Sequence, residues 1–381
     1  MIANYISPLC GRVGAAAVLA FAGISGAPQA WALEPAAAWS SRVSVQEHSV
    51  ADGLPVLALD RDGWQRLVSV GSGTARAAQR VSAAWEVGHP SGWRLGVVAR
   101  SQASVSASPG ALALAQAVAG DSLPTADTDY PLAVSHMGWR GRGLALGLPW
   151  QALGSSTWQW TADAQWLQLT DMRHTRIDGS GRYQVATQAY GFDVHADRAS
   201  RGIAGPFLGA SGTTGEGYSV SFALKGHISP QLAFSVKADD VLSRLSWNRL
   251  AREQLRLNTQ VTVRRPDGFL DYAPAISGQQ SLQNLSTRVG ARYDTRLTWQ
   301  YAPTSAVLAR WHRLAGMDEL WLGWGTAWPD SSLGLQLGLE TVRRALAAKV
   351  TWHGFYADLG TDFRGSESEY RQITLGLNLK F

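Results

Sequence analysis

The chain has 381 residues, with 34 Lys+Arg against 29 Asp+Glu, a net charge of +5, 40 glycines, 17 tryptophans and one cysteine. The positive excess is mild and is carried by Arg, since only residues 225, 237, 349 and 380 are Lys; this argues against nucleic-acid binding, which needs clustered bases with interleaved aromatics. A single cysteine excludes a disulfide framework.

Residues 1–32 read as a secretory signal. One charge, Arg12, precedes an apolar stretch from Val13 to Ile24, and Ala30-Trp31-Ala32 places small residues where a signal peptidase cuts, after Ala32. The apolar stretch is shorter than the roughly 20 residues of a bilayer span. Cys10 lies before the apolar stretch, unlike a lipoprotein cysteine, so the mature chain has no thiol. Cleavage removes one base and no acid, leaving 33 against 29, a net of +4.

Residues 33–78 are open to three readings: an N-terminal extension, an inserted plug or an extra hairpin. After them the chain turns to alternation. "PGALALAQAVAG" is the exception, with Pro109 early and Gly120 late, and it predicts a short helix over 109–119. In 157–166, Trp158, Trp160, Ala162, Ala164 and Trp166 oppose Gln159, Thr161, Asp163 and Gln165. A hairpin follows, with Tyr218, Val220, Phe222 and Leu224 on one arm and Leu232, Phe234, Val236 and Ala238 on the other. The segments 254–264, 288–301 and 332–341 repeat the pattern, and the last strand sets Ile373, Leu375, Leu377, Leu379 and Phe381 opposite Gln372, Thr374, Gly376, Asn378 and Lys380.

Ten-residue alternating segments between Gly/Pro/Asp/Ser turns are the signature of a transmembrane β-barrel. The polar face, rich in Gly, Ser, Thr, Gln and Asn, suits a crowded lumen. The apolar face suits hydrocarbon, where only a closed barrel pairs every strand amide. Trp158, Trp299, Tyr301, Trp311, Trp328 and Trp352 sit near segment ends, as interfacial aromatics do. The expected architecture is an all-β, antiparallel, up-and-down barrel over 79–381. The strand spans 79–89, 92–104, 131–149, 157–170, 182–194, 217–227, 231–240, 254–265, 287–301, 304–313, 319–328, 332–342, 346–360 and 369–381 make fourteen, with twelve as the alternative. Simple alternation then leaves the long stretch 266–286 on the same side as Phe381, where short turns belong.

The C-terminal run Ile373, Leu375, Leu377, Leu379 and Phe381 resembles the closing strand of Gram-negative outer-membrane β-barrel proteins. The resemblance is to that broad class. It implies Sec-type export to the outer membrane, recognition of the last strand by the barrel-assembly machinery, and contact with outer-membrane lipid and lipopolysaccharide.

The sequence offers no catalytic motif. The eight His residues make no short metal-ligand spacing, and there is no G-x-S-x-G elbow. Asp239-Asp240 and His195-x-Asp197 read as polar strand-end residues. No cofactor or metal is implied. The expected role is a channel or transporter for small polar or anionic solutes or lipids. A structural or export-associated barrel with partner-binding loops is the alternative, and an outer-membrane enzyme the third. The candidate lumen residues are Arg288, Arg292, Asp294 and Arg296 beside Arg256 and Arg264, a basic strip with one acid. Charged rings of this kind set pore selectivity; an internal salt-bridge network, or basic groups near lipopolysaccharide phosphates, would use the same residues.

Overall fold

A computed structural model describes residues 38–56, 73–120, 123–154, 157–205, 208–212, 214–259, 262–264, 270–272 and 275–381. The signal segment, with Ala30 and Ala32, lies outside them. In chain order the elements are β1 (Ser40–Asp52), β2 (Ala75–Gly88), β3 (Arg94–Ala107), α1 (Pro109–Ala119), β4 (Thr128–Gly147), β5 (Gln151–Ala152), β6 (Gln159–Gln184), β7 (Ala189–Ser200), β8 (Gly215–Ser229) and β9 (Leu232–Asn258). They continue with β10 (Thr262–Arg264), β11 (Leu270–Tyr272), β12 (Ile276–Thr287), β13 (Arg292–Ala302), β14 (Ser305–Leu314), β15 (Met317–Trp328), β16 (Leu333–Glu340), β17 (Leu346–Trp352), β18 (Phe355–Thr361) and β19 (Tyr370–Lys380).

These strands close into a fourteen-strand antiparallel barrel. β1 pairs with β2 on one side and with β19 on the other, Ser40 opposite Lys380, which shuts the ring. Two ring positions are each filled by two strands end to end. β8 and β7 both lie between β6 and β9; β13 lies between β9 and β14, and β12 continues its position along the upper part of β9. β10 and β11 form a separate small hairpin. Among the described residues no helix is long and apolar enough to cross a membrane.

The two periodicities of the sequence become the two faces of the wall. One registered row, Val43, Trp85, Val97, Leu144, Trp166 and Tyr218, crosses six strands, and every member is exposed. The alternate row carries His48, Arg80 and Arg100, which are buried and meet residues from the far wall. The first row is therefore the outside and the second the lumen. Tyr293 and Tyr301 bound the outer face of β13, both exposed. Eight residues span about 27 Å along a strand; at the 35–45° tilt of barrel strands that is roughly 20 Å of depth, of the order of the ~25 Å apolar band. Above the band the outer face turns polar, where Arg371 and Gln79 both bond Glu47.

Connections differ at the two ends. At the end that carries Phe381, called lower here, the links include 230–231, 303–304 and 353–354. The upper end has links 53–74, 108–127, 259–275 and 362–369 and a tight turn at Ala315-Gly316; that turn and the lower-end turn at His353-Gly354 are made by pairs of positive φ (51° and 80°; 45° and 84°), the geometry that two-residue hairpins require. Helix α1 forms as expected, capped by Ser108 Oγ, which accepts from Ala111 N, with Pro109 in the first turn. It lies against the outer face at the upper end, setting Leu112 on Ala77, Ala103 and Val105 and Leu114 on Tyr130, Leu132 and Tyr183.

Several expected boundaries change. The wall begins at Ser40, not at 79. The spans 231–240 and 254–265 belong to one strand, β9, which passes through two irregularities: Asp240 and Arg249 adopt φ of 59° and 54°, and the register shifts opposite both. Each bulge flips the alternation and makes one long strand read as two. Because β9 crosses the whole wall, the long connection 259–275 lies at the upper end, away from Phe381. Likewise 182–194 is not a separate strand: β6 runs on to Gln184 before β7 returns. The span 346–360 is two strands joined at His353-Gly354. Two strands unseen and two counted in excess leave the total at fourteen.

Candidate functional site

Side chains fill the middle of the lumen as a septum. Its centre is Asp240 on β9. The bulge turns both Asp239 and Asp240 inward, and they are 4% and 2% exposed. Arg100 of β3 grips Asp240 with two hydrogen bonds, Nη1 to Oδ1 at 2.9 Å and Nη2 to Oδ2 at 2.7 Å. Arg80 of β2 donates to Oδ2 at 3.1 Å, and the Ser219 hydroxyl to Oδ1 at 2.5 Å. Asp239 pairs with Arg292 at 2.8 Å and with Lys237 at 3.0 Å. β2 and β3 lie across the lumen from β9, so the network ties opposite walls. Arg100 also sits 5.2 Å from the ring of Trp139. Beside the charges an apolar wedge fills the lumen: Trp139, Leu167, Leu169, Met172, Leu245, Trp247 and Leu250, all buried.

A second layer lies near β14 and β19. Arg310 chelates Asp294, with Nη2 to Oδ2 at 2.5 Å. Gln372 donates to Asp358 at 2.7 Å and accepts from the Tyr370 hydroxyl at 2.5 Å. His48, His312 and Glu319 complete this layer. Charges in the septum balance closely, with Arg80, Arg100, Arg292 and Arg310 against Asp239, Asp240, Asp294 and Glu319. Buried charges of one sign alone would carry a large desolvation cost.

Two larger cavities flank the septum. The lower one, about 570 Å³, is lined by Gln231, Thr298, Gln300, Thr326, Gln336 and Thr351, with Arg296 and Lys349 as its only charged residues apart from His227. The upper one, about 610 Å³, is lined by Arg176, Asp178, His195, Asp197, Gln254 and Arg256 among others.

The basic strip divides among these places. Arg292, Asp294 and Arg296 face the lumen, opposite the exposed Tyr293 and Leu297. The partner of Asp294 is Arg310 on the next strand, not Arg292 or Arg296. Arg296 lines the lower cavity, and among the described residues no carboxylate lies within ion-pair distance of it. Arg256 lines the upper cavity and pairs with Asp193 at 3.3 Å. Arg288 does not share the face of Arg292. It is exposed, while Val289 is 6% exposed and turned inward, its backbone N–H donating to Ser243 Oγ; the break at 288–291 between β12 and β13 shifts the phase. Arg264 falls on β10, and its side chain lies outside the described residues. Ile373, Leu375, Leu377 and Leu379 occupy the outward phase of β19, and the Phe381 N–H closes on Trp39 O at 2.9 Å.

Sequence reasoning passed over Arg80, Arg100 and Glu319, read Asp240 as a strand-end residue, and set His48 and His312 aside with the other histidines for want of a short metal-ligand spacing. A signal existed: Arg80, Arg100, His48, His312 and Glu319 fall on the polar phase of alternating strands, whereas Asp240 continues the apolar phase of Ala238 and is turned inward only by the bulge.

No family model and no curated protein matches the sequence. Among solved structures the chain is similar to a deletion mutant of the TodX monoaromatic hydrocarbon channel (TM-score 0.43, 10% identity, 90% of each chain covered). It is also similar to the Ralstonia pickettii toluene transporter TbuX (0.32, 8%, 90% of each) and the Pseudomonas putida toluene transporter TodX (0.33, 8%, 90% of this chain and 87% of that one). The likeness is one of strand architecture.

Proposed function

We propose that the protein is an outer-membrane channel whose lumen admits small polar or anionic solutes and is held shut at its middle by side chains. One observation carries the reading. Two cavities, of about 570 and 610 Å³, approach from opposite ends, and what separates them is a layer of side chains. Side chains change rotamer far more readily than an inserted domain leaves. The lower cavity has mixed walls, Thr298, Gln300 and Gln336 beside Leu308 and Leu335, and two cations, Arg296 and Lys349, with no acid among its lining residues, which favours anions. The apolar wedge is a cluster of buried side chains in mutual contact, so we read it as packing within the septum and not as a path for an aromatic solute. The exposed Leu, Val and Trp of the outer face fit lipid on all sides, and the C-terminal strand fits recognition by the barrel-assembly machinery after Sec-type export. Among the described residues no arrangement in the lumen resembles a nucleophile with its base, so a non-enzymatic role fits better than catalysis.

The test is conductance of the purified protein in a planar bilayer, with reversal potential in a salt gradient. An anion-preferring conductance is expected, and replacing Arg296 and Lys349 by Gln reduces the preference without affecting assembly. Absence of both conductance and solute-driven liposome swelling would leave the alternative, an export-associated or structural barrel that works through its loops.

A further inference from the structure

His48, His312 and Glu319 stand apart from the arginine–aspartate pairs of the septum. His48 projects from β1; His312 and Glu319 face one another across the β14–β15 ladder, so the group bridges the lumen. All three are buried, at 1%, 0% and 1% exposure. His48 Nε2 and His312 Nδ1 each lie 3.0 Å from the same oxygen, Glu319 Oε1, and one ligand atom from each residue falls within 4.8 Å of the others.

Hydrogen bonding does not exhaust this group. His312 Nδ1 is aligned with the carboxylate. His48 Nε2 approaches it without hydrogen-bond alignment, and His312 Nε2 has no partner. Among the described residues no Arg or Lys lies within ion-pair distance of Glu319. A ring nitrogen buried without a partner, as His312 Nε2 is, leaves bonding capacity unused. Buried nitrogens left in this state are costly and rare.

We propose that His48, His312 and Glu319 bind a divalent transition-metal ion of the zinc class, with three protein ligands and one open position. Two imidazoles and a carboxylate are the donor set that such ions take. Bonds of 2.0–2.2 Å in a tetrahedron put ligand atoms about 3.3 Å apart, close to two of the three separations present, 3.0 Å each; the remaining one, within 4.8 Å, shortens as the rings turn onto the ion. Trp321 Nε1 donates to the other carboxylate oxygen at 3.4 Å and orients it. Tyr370, which packs on His48, has its hydroxyl committed to Gln372, so the fourth position is left to water or solute. The ion joins β1 to the β14–β15 hairpin. No short-spaced motif announces it, because the ligands come from three strands.

The experiment uses the purified barrel, stripped with chelator and titrated with Co2+ and then Zn2+. One Co2+ per chain is expected, with the strong visible absorption of a four-coordinate site, displaced by one Zn2+. Ion binding also raises the temperature at which the folded band disappears in heat-modifiability gels. His48→Gln and His312→Gln each weaken binding by about tenfold or more, whereas His353→Gln, on an exposed turn, binds as wild type. Wild-type protein that retains no Co2+ overturns the proposal, as does equal retention by both ligand variants. Should those variants fail to assemble, the stoichiometry and spectrum of the wild type decide alone.

Discussion

At the scale of single residues, Asp240 is the most connected group in the lumen. Its carboxylate answers two guanidinium groups and a hydroxyl from three strands. Replacing it by Asn keeps the shape but leaves Arg80 and Arg100 buried beside a neutral amide. Breaking one partner of a buried ionic network costs about 3–5 kcal/mol, so Asp240→Asn lowers the heat-modifiability transition markedly, while Arg176→Gln, at an exposed pair with Asp178, leaves it within experimental scatter. Where Asp240→Asn protein does assemble, its septum is loosened, and its single-channel conductance exceeds that of wild type. Gln372 teaches a related lesson. Its position on the lumen side of β19 was legible from alternation, but its 4% exposure and its bonds to Tyr370 and Asp358 were not. Those partners lie on its own strand and on a neighbour reached only through a hairpin, and pattern reading sees one strand at a time.

At the scale of elements, alternation made most of the wall legible, and its failures have physical causes. β1 was left among three readings of 33–78, an extra hairpin being one, because only Val43 and Val45 carry its outward phase before Glu47 turns it polar. β9 was divided by two bulges, each of which reverses the phase that the eye follows. The upper part of β6, "DGSGRYQ", rises beyond the apolar band and has no lipid to select hydrophobic side chains. The closing strand, by contrast, stays in phase throughout, and it supports a direct test. Leu375 points outward near the middle of the band, 43% exposed, while Thr374 beside it faces the lumen. An Arg facing lipid at mid-depth costs about 2–4 kcal/mol. Leu375→Arg therefore impairs assembly and Thr374→Arg is better tolerated, judged by the folded fraction in heat-modifiability gels. Equal tolerance would contradict the facing of β19.

At the scale of the whole molecule, the candidate site could not be read in advance because its members meet only after closure. Arg80 and Asp240, or His48 and Glu319, belong to strands on opposite walls, and no local spacing encodes that encounter. The ring closure itself can be checked with the absence of thiols from the described residues. Val45 and Leu375 are registered across the β1–β19 seam, where side chains of directly opposed residues stand about 4.5–5.5 Å apart. The pair Val45→Cys and Leu375→Cys is expected to cross-link on mild oxidation, giving a band that resists full extension in denaturing gels until reduced. The mismatched pair Val45→Cys and Leu379→Cys cross-links far less.

That seam also sets an order of events. Ser40 must wait for Lys380, so the first strand made is completed by the last. Contacts so distant along the chain make folding slow, and through that interval one edge of β1 shows unpaired amides, an open template for any other chain. A chain ending before β19 never leaves this state. It keeps two open edges, at β1 and β18, and is expected to accumulate as edge-paired oligomers, which size-exclusion chromatography in detergent would separate from the full-length closed ring.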